Sequence, residues 1–277
     1  MTDMLQVEGL NVAFPSRDGP VRVVRDVSFT LGRERLGIVG ESGSGKSQTG
    51  RAILGLTPAS GTVTADTLSF DGIDLRKASA KTWRSLRGPR MSMIMQDPKY
   101  SLNPVMTIGR QIVEAYRRRG DASRADARAK AIAMLEAVQI RDPERVFRAY
   151  PHELSGGMGQ RAMIAMMLIA EPDLLIADEV TSALDVTVQL DVLKILDDLV
   201  RDRGMGLIFI SHDLRLVSSF CDRVLVMYAG RVVEEIAARD LKHAQHPYTQ
   251  GLLNCLPQID GDIAPLPTLT RDPAWLA

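Results

Sequence analysis

Apolar and polar positions alternate from residue 5 to residue 31 around a turn at residues 15–19, which predicts antiparallel strands. A second β stretch covers residues 62–70 and turns at Asp71-Gly72. Met91, Met93 and Met95 alternate with smaller residues, as in a short strand that buries one face. From residue 107 to 140 the period becomes helical, with polar faces rich in Arg and Ala. Residues 158–170 form a more apolar helix that ends at Glu171-Pro172 and feeds a strand at 174–177. A helix at 186–200, a strand at 207–210 and a further helix and strand follow. The last thirty or so residues, Pro-rich and without periodicity, read as a tail, and no internal repeat is present. Strand–helix alternation on both sides of a helical insertion predicts an α/β fold with a largely parallel sheet.

Within that pattern, the apolar run Leu36, Gly37, Ile38, Val39 is followed by Gly40-Glu41-Ser42-Gly43-Ser44-Gly45-Lys46-Ser47 and then by a helical stretch at 49–56. This is a complete G-x-x-x-x-G-K-[ST] phosphate loop at a strand-to-helix junction, where the motif works. Its glycines let successive N–H groups surround a polyphosphate, and the helix adds its positive N-terminal end. Lys46 can reach the β- and γ-phosphates, and the Ser47 hydroxyl can ligate Mg²⁺. The chain therefore binds a nucleoside triphosphate.

Two further segments suit that chemistry. Leu174-Leu175-Ile176-Ala177-Asp178-Glu179 is an apolar strand ending in two carboxylates. Open α/β sheets bind ligands at this edge, so Asp178 is placed to hold Mg²⁺ and Glu179 to polarise an attacking water. At 154–158, Leu-Ser-Gly-Gly-Met opens a helix. Ser is an ordinary N-cap, but two glycines behind it weaken the helix by about 1 kcal/mol each. Close approach of their N–H groups to a phosphate is the natural compensation.

Composition narrows the class. Of 277 residues 45% are apolar, enough for a sizeable core, and 34 basic residues balance 34 acidic ones. No global field draws the chain to nucleic acid or anionic lipid. Arg117, Arg118, Arg119, Arg124 and Arg128 are interspersed with acids and lack aromatics, so they read as a solvated helix face. Cys221 and Cys255 have no metal or redox spacing, which fits a reduced cytosolic chain. No signal-peptide pattern is present, and apolar runs such as 162–170 are about half a bilayer span. Any service to a membrane is expected from the cytosolic side, through a partner.

The phosphate loop, Gln96, Leu154 to Met158, Asp178-Glu179, Ser182-Ala183-Leu184-Asp185 and His212 stand in the order found in ATP-binding-cassette (ABC) ATPases, which the chain resembles over residues 5–240. Within that family it is similar to the ATPase subunits of oligopeptide, dipeptide and nickel importers. The supporting residues are Gly37 to Gln48, Gln96-Asp97-Pro98, Ser101-Leu102-Asn103-Pro104, Tyr150 to Met158 and His246-Pro247-Tyr248-Thr249. The resemblance implies a P-loop core with an antiparallel β subdomain and a helical subdomain inserted at about 97–172. The ATP-binding domain would cover 1–245 and a shortened tail 246–277.

The resemblance also assigns roles. ATP is held by Gly40 through Gln48, including Glu41, Ser42, Gly43, Ser44, Gly45, Lys46 and Ser47, and Phe14 is the candidate to stack on adenine, a core position being its alternative. Gln96 senses Mg²⁺ and water. His212 contacts the γ-phosphate. Ser155, Gly156, Gly157 and Asp185 face the nucleotide of an opposing, related ATPase subunit. Expected partners are that subunit, transmembrane permease subunits and, indirectly, an extracytoplasmic solute-binding protein, with no nucleic acid; the expected place is the cytoplasmic face of the inner membrane. Val180 stands where a proline is usual and Gly159 where an arginine is frequent. The cysteine-rich tail of many peptide-importer subunits is missing, so no iron–sulfur cluster is expected, and nickel or metal-chelate import stays open beside peptide import. A soluble ABC ATPase of DNA repair or translation is disfavoured: residues 47–155 lack sustained heptads, and only one cassette is present.

Overall fold

A computed structural model describes residues 3–95, 101–120, 122–180, 186–255 and 275. Strands β1 (Leu5–Phe14), β2 (Val21–Leu31) and β3 (Arg35–Val39) precede helix α1 (Lys46–Ile53). Short strands β4 (Thr62–Thr64), β5 (Thr67–Phe70) and β6 (Ile73–Asp74) lead to α2 (Ala80–Leu86) and β7 (Met91–Ile94). Four helices follow, α3 (Ile108–Arg117), α4 (Arg124–Ala137), α5 (Pro143–Arg148) and α6 (Gly156–Leu168). Strand β8 (Leu174–Asp178), α7 (Val186–Arg203), β9 (Gly206–Ile210), α8 (Leu214–Phe220), β10 (Arg223–Tyr228), β11 (Arg231–Ala237) and α9 (Pro247–Asn254) complete the order. The chain divides into two compact units, one of residues 1–76 and 209–277, the other of 77–208, the division falling within β9.

In the first unit β1 pairs antiparallel with β2, β4 and β5, and β5 with β6. The alternation predicted at 5–31 is this hairpin: Leu5, Val7, Leu10, Val12, Val24, Val27 and Leu31 are fully buried. Register shifts along the β1–β2 ladder mark bulges, where an extra residue bends a strand. A second sheet pairs β10 parallel with β3 and antiparallel with β11, and the Ser211 N–H after β9 donates to the Ile38 carbonyl at 3.2 Å. Arg35 and Asp222 tie the foot of this sheet through a 2.9 Å ion pair. Residues 247–254, read from composition as tail, are instead helix α9, with Pro247 in its first turn and Tyr248 fully buried. Periodicity gave no hint because eight residues hold only two turns.

In the second unit β7 and β8 pair in parallel. The methionine alternation predicted one buried face, with Met95 included; the strand stops at Ile94 and both faces are buried, Ser92 at 5% exposure beside Met91 and Met93. Parallel strands are covered on both sides, which erases the alternation. Between β7 and β8 the described residues form helices and turns. Ser123 caps α4 through the Asp126 N–H, and Asp142 caps α5 through the Arg145 N–H, with Pro143 in its first turn. The arginine face does more than meet solvent. Arg119 donates to the carbonyls of Ala170 and Glu171 beyond α6, and Arg128 pairs with Glu144. Helix α6 begins with glycine at three of four positions, costing about 1 kcal/mol each. Full burial of Met163, Ile164 and Leu168 outweighs that, at about 1.5–3 kcal/mol per large side chain. Among the described residues no helix is long and apolar enough to cross a membrane.

Candidate functional site

In the first unit the buried strand β3 hands the chain to the phosphate loop. Gly40 and Gly45 have φ of 147° and 102°. A Cβ on Gly40 would lie 2.1 Å from the Met227 carbonyl oxygen, and one on Gly45 2.5 Å from that of Val23. Only glycine lets the loop pass so close to its neighbours. Lys46, 6% exposed, opens α1, and its ammonium donates to the carbonyls of Gly40 and Glu41, each at 2.8 Å. The Gly230 N–H donates to the Ser44 carbonyl at 3.0 Å and fixes the other side of the loop. Ser44 is buried, Ser42 and Gly43 are exposed, and Ser47 and Gln48 are half-buried. Gly45 gives α1 no side-chain cap and the first turn holds no acidic residue, an arrangement that suits an anion at a helix start.

The same unit brings His212 to the edge at which the loop emerges. Ser211 bonds to Ile38, two residues before Gly40, and exposed His212 follows. Asp213 then caps α8 by accepting from the N–H groups of Arg215 and Leu216. Phe14, at the end of β1, is half-buried; a Cβ on Gly61 would lie 2.7 Å from its ring.

In the second unit all five residues of β8 are buried, and Asp178 at its end is 3% exposed. Glu179 is half-buried, with φ of 51°, a left-handed conformation uncommon outside glycine. Such strain persists where surroundings enforce it and concentrates at functional sites. Part of the enforcement comes from Gln160, 1% exposed, whose Nε2 donates to the Val180 carbonyl at 2.6 Å. A glutamine on the helix opened by Leu-Ser-Gly-Gly-Met thus holds the turn behind the two carboxylates. A helix-face count shows it pointing inward, but its partner lies twenty residues away, so sequence reasoning missed the link.

Ser155 caps α6, its hydroxyl accepting from the Met158 N–H at 3.4 Å, and Ser155 and Gly156 are exposed. A Cβ on Gly156 would meet nothing within 4 Å, and one on Gly157 only Arg161 Nη2 at 3.9 Å. Packing among the described residues does not require glycine at either position. Arg161, also unforeseen, donates from Nε to the Gly157 carbonyl at 3.3 Å and from Nη1 to that of Gln139 at 2.8 Å. Elsewhere in this unit, Gly88, Ser101, Asn103, Met106, Met166 and Met167 line an open groove of about 370 Å³. Gln96 and Asp185 lie outside the described residues.

Residues 24–182 match the ABC transporter family. The oligopeptide transport ATP-binding protein OppD of Salmonella typhimurium is 45% identical over 98% of this chain and 81% of its own length. The dipeptide transport ATP-binding protein DppD of Bacillus subtilis is 45% identical over 99% of this chain and 82% of its own. Among solved structures, the dimeric structure of a bacterial ABC transporter cassette superposes with a TM-score of 0.75 at 24% identity, covering 85% of this chain and 99% of the other. An α/β core of parallel strands, a phosphate loop at the end of β3, an acidic pair at the end of β8 and a glycine-rich helix start are the parts of an ABC ATPase, and the chain belongs to the ABC transporter family.

Proposed function

We propose that this chain is the ATP-hydrolysing subunit of a peptide importer, bound beneath a permease at the cytoplasmic face of the inner membrane. One observation carries the reading. The chain holds a glycine-bearing phosphate loop packed closely against its own neighbours and, on a helix start where Ser155 and Gly156 are exposed, two glycines that packing among the described residues does not require. A ligand from outside accounts for them, and the γ-phosphate held by an opposing ATPase subunit is that ligand. The names of the OppD and DppD relatives favour peptides over nickel as cargo. The proposed domains are an ATP-binding domain at 1–245, with a helical subdomain at about 97–172, and a C-terminal segment at 246–277.

The proposed roles follow from chemistry. Gly40 through Gln48 bind the phosphates, Lys46 neutralises the β- and γ-phosphates, and Phe14 stacks on adenine. Ser47, Asp178 and Gln96 would hold Mg²⁺; a hydroxyl, a carboxylate and an amide are the hard oxygen donors that this ion takes. When bound, Mg²⁺ neutralises charge on the phosphates. Glu179 orients the attacking water from its left-handed position beyond the end of β8. His212 stabilises charge at the γ-phosphate, while Ser155, Gly156, Gly157 and Asp185 complete the opposite subunit's site. Catalysis is then mainly positioning and electrostatics. The groove beside Ser101 and Asn103 is the proposed seat for a cytosolic helix of the permease.

Mixed complexes test the shared site. Lys46→Ala and Ser155→Arg copies combined so that both lesions fall on one composite site should keep more ATPase activity than when each site carries one. Equal activity in the two arrangements overturns the shared-site reading. For cargo, ATP-driven uptake of a labelled oligopeptide by proteoliposomes containing the complete complex is expected, and uptake of nickel without peptide would reassign it.

A further inference from the structure

The His-Pro-Tyr segment has no part in the chemistry above, yet its helix reaches the phosphate loop. Tyr248 is fully buried on α9, and its hydroxyl accepts a hydrogen bond from the Glu41 N–H at 3.0 Å, joining residues 207 apart in sequence. Helix α9 is itself held firmly. His246 caps it by accepting the Tyr248 N–H through Nδ1, and the N–H groups of Gln245 and His246 donate to the Glu234 carboxylate on β11. The Tyr248 ring lies 4.5 Å from that of Tyr228 at the end of β10, and Trp275 contacts both, at 5.7 Å and 5.6 Å between centroids.

The peptide unit between Gly40 and Glu41 is therefore gripped at both ends. Its carbonyl accepts from the Lys46 ammonium at 2.8 Å, and its N–H donates to the Tyr248 hydroxyl. A glycine at φ of 147° gives this peptide unusual freedom to rotate. Rotation would carry the Gly40 carbonyl away from Lys46 and loosen the cation that must meet the phosphates. We propose that Tyr248 is a positioning residue for ATP binding, locking the Gly40–Glu41 peptide in one orientation, and that Trp275 steadies the tyrosine by packing on its ring. The consequence is confined to affinity. A loop ordered before ATP arrives binds ground state and transition state alike, so loosening it raises KM and leaves kcat in place.

Tyr248→Phe keeps the ring and removes the hydroxyl. In the assembled transporter it should raise KM for ATP by about three- to tenfold, the range expected of one buried hydrogen bond, with kcat within about twofold of wild type. Calorimetry on the full chain should give the same loss in the Kd for ATP. Trp275→Ala should move KM in the same direction by less. A purely structural tyrosine would lower the unfolding midpoint and the yield of active protein while leaving KM unchanged. KM within about twofold of wild type in Tyr248→Phe overturns the proposal, whatever happens to the midpoint. If that variant does not fold, amide exchange in the wild-type chain without nucleotide decides: strong protection of the Glu41 N–H is expected, and exchange at the rate of an open loop overturns it. The inference takes from the functional reading only that the loop binds ATP. A wild type that binds none defeats that reading, whereas wild-type binding with an unaltered Tyr248→Phe defeats this one.

Discussion

Gln160 offers a sharp test of how the glycine-rich helix and the acidic strand end are joined. Replacing it with Met keeps the length and most of the volume of a side chain that is 1% exposed, but removes the donor 2.6 Å from the Val180 carbonyl. Val180 is itself fully buried, so the carbonyl that loses this partner has little access to water. An unsatisfied buried acceptor costs about 1–3 kcal/mol, several times the effect of an ordinary surface substitution. For a domain of this size each kcal/mol lowers Tm by about 2–4 °C, so Gln160→Met should melt at least about 2 °C below wild type. The chemical effect should exceed the thermal one, because the released turn includes Glu179 in its left-handed conformation. We expect kcat for ATP to fall while affinity for ATP changes little, the phosphate loop being untouched. Urea unfolding, scanning calorimetry and steady-state ATPase assays of the assembled transporter provide the three readouts. A variant within about 0.5 kcal/mol of wild type and with unchanged kcat would refute the reasoning.

Other substitutions address separate points. Glu179→Gln should retain ATP binding, lower turnover at least about 100-fold and trap a nucleotide-bound dimer; turnover near wild type would remove Glu179 from its role. Burial, assisted by Asp222 and partly opposed by Arg35, pushes the Cys221 thiol up to about 12. Its thiolate fraction at pH 8 is on the order of 10⁻⁴, so a thiol reagent should label Cys255 first and Cys221 only on unfolding. Burial alone would raise the Asp222 carboxyl, but hydrogen bonds and charge from Arg35 hold it below the usual carboxylate range. A depressed carboxylate stabilises the fold fully above its unfolded value, near 3.9, and that contribution disappears as pH falls through the lower folded value. Arg35→Met should cost no more than about 1 kcal/mol at pH 7, since the pair is partly exposed, and the difference from wild type should shrink as pH falls through the folded value of Asp222.

The place of the phosphate loop was legible because its demands are local, a strand and glycines that open the backbone, although the helix begins at Lys46 and ends at Ile53 rather than covering 49–56. The same holds for Asp178 and Glu179, since a buried strand delivers its last residues to a sheet edge. The hairpin of β1 and β2 showed in the alternation because one of its faces is solvated. Strand β7 did not, because both faces are covered. Gln160, Arg161 and Tyr248 escaped for another reason. Each acts through one hydrogen bond to a carbonyl or N–H distant in sequence, and backbone atoms leave no trace in residue identity. Arg119, between α3 and α4, is hidden in the same way, because its carbonyl partners lie 51 and 52 residues away.

Helix α6 also has a mechanical consequence. Its first turn carries glycines and a long 3.4 Å cap, whereas Ala162 to Ala165 and Leu168 are buried and the carbonyls just beyond are clamped by Arg119. Amide protection should therefore climb along the helix, from rapid exchange near Gly157 to exchange only on global opening near Ala165. If the proposed phosphate seats on this first turn, it must order those residues, at about 1–2 kcal/mol of conformational entropy each. That cost lowers affinity and shortens residence. On the proposed reading, a soft helix end would make a contact that forms with the phosphate present and opens readily once it has left.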